Sequence, residues 1–471
     1  MTQSRVASFS ASMVVDTYQA AIETAIDKFL GKISASRELA AAGALDDAEP
    51  DAPPDFFQEE MKHLTNDQRR EVRRAMGGFS AVMTHALEAH KNNEPLDKSK
   101  ASFEFAAGDQ HTAELLSRYL LYMSLKLKAP NRAQLLRRSL LIVAISDFEV
   151  FVGALASAVL EDQPGRIEGA DSSFTLRQIK EFGSIEAVSE YVIERKVEDL
   201  LRGDIDDWKS WFGKLSVKLE DTTDDWPGFV EMFARRNVLV HNDGKANRHY
   251  ARKLSAVLPQ VAAIKVGTEL PVSGEYLDDA WNRLSAAACL VGIGLLLQTR
   301  PKVDSRQHVQ WLIYRTEILA DSGSHKAVLV IASTVLRTSR GRLDRENEIS
   351  LRRLRWTALR ELGHLEEMTR EVEGWDFSGL DLLHLHVRDV LLGDVEKACS
   401  SIASLLELGR LTRFALRTKA LYRPLHGDPR FSDLLRVRAA LPGTAERSTD
   451  IEAGAMTLAE PADEQLDTPR T

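Results

Sequence analysis

The sequence predicts an all-α protein, and three observations carry that expectation. Apolar residues recur at three- and four-residue intervals along most of the chain, the spacing of one helix face. Two runs, residues 131–161 and 277–299, are long and apolar enough to be buried core helices. Prolines and glycines fall between the periodic runs, at Pro301, Gly323, Gly341, Gly363, Gly393 and Gly409, where they mark helix ends. With 471 residues, 44% hydrophobic and 28% charged, the chain has the make-up of a soluble protein of two to four domains.

Taken in order, residues 1–45 hold an N-terminal helix in which Tyr18, Ile22, Ile26 and Phe29 share a face. Residues 46–55, DDAEPDAPPD, read as an acidic, proline-broken linker. Residues 56–130 form a helical region with runs at 56–89 and 110–129 and a loop between them; its QRREVRR stretch reads as a solvated helix face. A central helical domain is expected at 131–300. In its first helix Asp147 and Glu149 interrupt a stretch otherwise apolar enough for a membrane span, so a buried soluble helix is preferred. Trp208, Trp211, Phe212, Leu215 and Leu219 follow helical spacing, which favours core packing over base stacking.

Residues 301–442 read as consecutive helical hairpins. LRELGHLEEM and VLLGDVEKACSSI resemble the helix-turn junctions of tetratricopeptide-type repeats, although the glycine spacing departs from a regular 34-residue period. Such an array would offer a surface to a protein partner. Arginines concentrated between Arg337 and Arg360 fit either RNA or an acidic partner, or a solvated face. Residues 443–471 are acidic, lack a repeating apolar face and are expected to be a disordered tail.

The net charge of -9 and pI near 5.8 argue against broad nonspecific affinity for nucleic acid, so any RNA role must be local. Cys289 and Cys399 read as buried thiols of a reducing compartment, and no zinc-ligand spacing is present. The N-terminal segment lacks a charged region followed by an apolar one. A cytoplasmic protein with no membrane association and no cofactor is therefore expected.

The residues able to do chemistry gather in DDWPGFVEMFARRNVLVHNDGKANRHY, residues 224–250. Asp224 or Asp225 can cap a helix there, Pro227 fits its first turn and Asp243-Gly244 ends it. At 100° per residue, Phe229, Met232, Phe233, Leu239 and Val240 form an apolar arc with Arg236 near its middle; Ala234, Arg235 and Val238 fall outside it. A guanidinium in that position needs a carboxylate, a cleft or an anionic ligand, whereas Arg235 carries no such constraint. Asn237 and His241, four residues apart, share a face bordering Arg236. An arginine fork, a positioning amide and an imidazole make a set suited to phosphodiester cleavage. Lys245, Arg248 and Arg252 add positive charge that suits RNA binding, against the plainer reading of a solvated helix start.

Arg236-Asn237-Val238-Leu239-Val240-His241 resembles the R-[N/H/D]-x3-H form of the Rx4-6H motif of the HEPN superfamily. Asn242, the Gly244 break, Asn247, Tyr250, the VGTELPVSGEYL segment and the last apolar helix look like the C-terminal half of its prokaryotic branch near the RiboL-PSP-associated proteins. The resemblance spans roughly residues 131–300. It implies a helical bundle that pairs as a homodimer, with RNA as substrate and with Arg236, Asn237 and His241 acting without a metal. It also makes Glu149 or Asp147 a candidate to orient Arg236 or His241, with Asn242 in support. Two functions remain open at this point: an endoribonuclease acting as a toxin or antiviral effector, or a noncatalytic interaction module whose helical repeats recruit a partner. The related toxins that carry a tyrosine two positions after the histidine differ here, where Asp243 stands.

Overall fold

A computed structural model describes residues 17–42, 55–91, 107–128, 132–166, 174–255, 258, 264–299 and 305–436. The linker expected at 46–55, apart from Asp55, and the tail expected at 443–471 lie outside the described residues. The all-α expectation holds. Among the described residues, extended pairing is confined to one isolated bridge between Lys245 and Glu269.

The first helices are α1 (Thr17–Ala42), α2 (Asp55–His63), α3 (Asn66–Lys91), α4 (Gln110–Lys128) and α5 (Arg132–Asp162). Then come α6 (Leu176–Phe182), α7 (Ile185–Arg202), α8 (Ile205–Gly213), α9 (Trp226–His241), α10 (Arg248–Ser255) and α11 (Gly274–Thr299). Helices α12 (Ser305–Asp321), α13 (His325–Thr338), α14 (Arg345–Glu361) and α15 (Leu365–Glu373) follow. The last are α16 (Leu382–Leu391), α17 (Val395–Glu407), α18 (Arg413–Thr418) and α19 (Pro429–Leu435). Two compact units result, Met1–Asp376 and Phe377–Thr471.

Within the first unit, α5 and α11 form the middle of the bundle. Both are long and apolar enough to cross a membrane, and 83% of the most apolar stretch of α11 is buried in this fold. Helix α5 packs against α1, α7, α9 and α11. Phe148 of α5 meets rings from three other helices, α1, α8 and α9: its ring centroid lies 5.5 Å from Phe29, 5.9 Å from Phe229, 6.2 Å from Phe233 and 6.3 Å from Trp208. Trp208 and Phe212 are buried core residues, as their spacing predicts.

The N-terminal helix expected within 1–45 completes this core. Helix α1 lies on α5 and α11, and a Cβ at Gly292 would overlap the Ile26 side chain, so glycine sets how closely α1 and α11 approach. Helices α2, α3 and α4 bury a smaller apolar cluster of their own around Phe57, Val72, Leu116 and Tyr119.

Among the described residues, helices on the two sides of the boundary expected at residue 301 pack on each other. Helix α11 is apolar on several faces and also seats α12 and α13, where the Ala327 amide donates to Asn282 Oδ1 at 3.2 Å. Glycines Gly323 and Gly363 close the α12–α13 and α14–α15 turns at φ +85° and +82°. In each, the next residue's amide bonds to a carbonyl five positions back, the Schellman arrangement. The arginine-dense segment places much of its charge on internal acids: Arg352 on Glu348, Arg353 on Glu317 and Arg355 on Glu367 and Glu371.

In the second unit, Gly393 makes the same turn between α16 and α17 at φ +75°. Helix α17 packs on α19, which Pro429 opens after the Asp428 cap.

Candidate functional site

Helix α9 is fixed at both ends by local chemistry. Asp225 Oδ1 accepts from the Gly228 amide at 2.9 Å, Pro227 occupies the first turn, and Arg283 holds the other Asp225 oxygen at 2.8 Å. At the far end, Asp243 and Gly244 take positive φ values of 50° and 72°, and the Asn242 and Gly244 amides both donate to the Val238 carbonyl. The chain then runs beside the segment before α11, with Ala246 donating to Thr268 and Leu270 to Gly244, each at 2.8 Å. Asn247 Oδ1 accepts from the Tyr250 amide at 2.8 Å, starting α10 so that it packs back along α9.

Helix α9 does not bury a single arc. Its buried residues are Gly228, Phe229, Val230, Glu231, Met232, Ala234 and Val238, whereas Val240 is 49% exposed. The reason is that α5 covers one side while α10 and α11 cover another. The expectation that Arg235 is unconstrained is overturned by the same geometry. Arg235 Nε donates to Glu231 at 2.7 Å, its Nη1 donates to the Pro271 carbonyl at 2.8 Å, and its guanidinium lies 4.1 Å from the Tyr276 ring centre. Glu231 also accepts from the Tyr250 and Tyr276 hydroxyls, both at 2.6 Å. Burial, reinforced by the Glu231 charge, pushes the Tyr250 hydroxyl well above its ordinary value, and the Tyr276 hydroxyl with it.

Arg236 faces the opposite way, into a cavity of about 440 Å³ between α9, α10 and the α7–α8 junction. One arm of its fork pairs with Glu149 of α5, the other donates to Asn237 Oδ1 at 3.0 Å, and its Nε is buried without a hydrogen bond. Burial lowers the guanidinium from its ordinary value. Asn237 and His241 line the same cavity, as do His249 and Lys253 of α10. Lys253 Nζ bonds to Asp204 at 2.7 Å and holds that carboxyl below its ordinary value. His241 and His249 are exposed and make no hydrogen bond among the described residues.

Of the two acids considered on α5, Glu149 meets Arg236. Asp147 does not reach the site: Lys32 of α1 takes it at 2.6 Å. Asn242 donates to the Lys245 carbonyl and stabilises the turn, outside the cavity lining. Lys245, Arg248 and Arg252 are exposed and likewise do not line it; Arg248 and Arg252 form no ion pair among the described residues. Lys253 and His249, four residues apart on α10, are the basic residues that reach the cavity from that helix, and their i, i+4 spacing was the available signal.

A larger cavity, about 600 Å³, lies between α11, α12 and α13, lined by aliphatic side chains and hydroxyls with Lys218, Asp221 and Arg342. Its lining among the described residues includes no histidine, whereas the smaller cavity has two. Comparison with protein-family models, curated proteins and solved structures finds no match to this chain.

Proposed function

We propose that the chain is an endoribonuclease of HEPN type, in which the α9 cavity cleaves RNA by attack of a 2′-hydroxyl on the adjacent phosphate. The observation that carries this reading is that Arg236, Asn237 and His241 share one wall of an open cavity, with the His241 ring uncommitted. His241 takes the proton of the 2′-hydroxyl, the Arg236 fork stabilises the added negative charge on phosphorus, and Asn237 positions Arg236 or the phosphate. A cyclic phosphate end results. Exposed Arg248 and Arg252 on α10 supply a basic row beside the cavity-lining one for the RNA backbone. An exposed stripe of Leu135, Val143 and Val150 along α5 supports pairing of two copies through this bundle. A toxin or antiviral effector is the biological setting that the motif's resemblance implies.

The ion pair between Arg236 and Glu149 favours a second reading, a noncatalytic module in which that pair is structural and the helical hairpins recruit a protein partner. Metal-free cleavage of a mixed RNA pool, with EDTA present and ends mapped, separates the two. Under the nuclease reading, Arg236→Ala and His241→Ala each reduce cyclic-phosphate product by about 10²–10⁴-fold. Equal background from all three proteins supports the interaction module.

A further inference from the structure

Two exposed imidazoles that make no hydrogen bond among the described residues line one cavity from different elements, and the chemistry above uses only one of them. His241 stands in the last turn of α9, on the wall that carries Asn237 and Arg236. His249 stands in the first turn of α10, four residues before Lys253. The α10 wall is held firmly: Tyr250, next to His249, is buried and donates to Glu231 at 2.6 Å, Asn247 caps the helix, and Lys253 is tied to Asp204. An in-line displacement at phosphorus places the entering and leaving oxygens on opposite sides. A base on one wall therefore leaves the leaving oxygen to a group on another.

We propose that His249 is the general acid of this site, a role that rests on the nuclease reading and gives each chain both halves of the proton transfer. In the step, the 2′-oxygen forms its bond to phosphorus as its proton passes to neutral His241. The bond from phosphorus to the 5′-oxygen breaks, and protonated His249 gives its proton to that oxygen. Exchange with water then returns both rings to their starting states. No oxidant, reductant or further reactant is needed. Each wall also brings a cation to the cavity lining, Arg236 from α9 paired with Glu149 and Lys253 from α10 paired with Asp204, which suits a phosphate lying between the two walls.

The test uses the full-length chain and a short RNA whose sequence the wild type cleaves in a mixed pool. The RNA is prepared with either the natural linkage or a sulfur in place of the leaving 5′-oxygen; a thiolate departs without being protonated. His249→Ala is expected to slow cleavage of the natural linkage by about 10²–10³-fold while staying within about tenfold of wild type on the sulfur linkage. His241→Ala is expected to be slow on both. Wild-type cleavage of the natural linkage by His249→Ala overturns the assignment, and so does an equal loss on both linkages by a variant whose melting curve is unchanged. Mixing His241→Ala chains with His249→Ala chains is expected to restore nothing; restoration overturns the placement of both groups in one chain's cavity. A wild type that cleaves neither linkage overturns the nuclease reading itself, and this role with it.

Discussion

Arg235 and Arg236 are adjacent on α9 and similarly shielded, with side chains 15% and 19% exposed, yet they end in opposite circumstances. Arg235 belongs to a closed set. Glu231 receives a hydrogen bond from Arg235 and from each of two tyrosines, and Arg235 spends its remaining capacity on a carbonyl and an aromatic face. Arg236 belongs to an open set, where, among the described residues, Nε lacks a partner and two imidazoles that line the same cavity make no hydrogen bond. A closed polar set buys rigidity, because every group lost from it leaves another one buried and unpaired. An open one keeps capacity for something outside the chain. Their proximity is itself useful: the closed set holds α10 against α9 through Tyr250, and α10 carries one wall of the open set.

Breaking the closed set should have the largest effect on stability. Glu231→Gln leaves Arg235 with no carboxylate and is expected to cost about 3–5 kcal/mol of unfolding free energy, read by urea denaturation. The second unit offers a buried imidazole to set against the exposed His241 and His249. His386 is fully buried, its Nδ1 lies 2.8 Å from Ser401 Oγ, and burial pushes it down to about 4 from an ordinary 6.5. The unfolded chain takes up this proton near pH 6.5, whereas the folded unit resists it until about pH 4. Stability contributed by the neutral ring is therefore complete above pH 6.5 and is lost as the pH falls through that window, the loss reaching roughly 3 kcal/mol by pH 4. Hydrogen exchange in α16 should report easier opening at the lower pH in the wild type, and a flatter dependence in His386→Leu. Smallest is Glu149→Gln. Its pair with Arg236 is partly exposed, so the melting free energy should change by less than about 1 kcal/mol. If Glu149 positions Arg236 for catalysis, kcat should nevertheless fall by roughly tenfold with KM little changed. An unchanged kcat would mark the pair as incidental to function.

What the sequence discloses follows the range of the interactions. The ends of α9 were legible because Asp225, Pro227, Asp243 and Gly244 act within one turn of themselves, and the convergence of Arg236, Asn237 and His241 followed from helical spacing alone. The turns at Gly363 and Gly393 were legible for the same reason. Choosing between Asp147 and Glu149 required knowing which neighbours each side of α5 meets; α1 supplied Lys32 to one and α9 supplied Arg236 to the other. Arg235 was misjudged because a single-arc view of α9 cannot anticipate Tyr276, 41 positions further along the chain. His249 entered the cavity only because the chain turns at Gly244 and returns, which is a property of the loop and not of α10's own pattern.

The seating of α1 has a consequence for how the chain comes to be folded. Its Asp27 is bonded by Arg315, a residue 288 positions later, and its Ile26 fills the space that Gly292 leaves. During synthesis α1 can meet α5 early, but the part of its surface that faces α11 and α12 waits until those helices have emerged. Contacts of such long separation are made late and at high loop-closure cost, so the core of this bundle is completed only after α11 and α12 have been made. A nascent chain stalled before α11 would carry the motif helix but not the surface that closes the core around it.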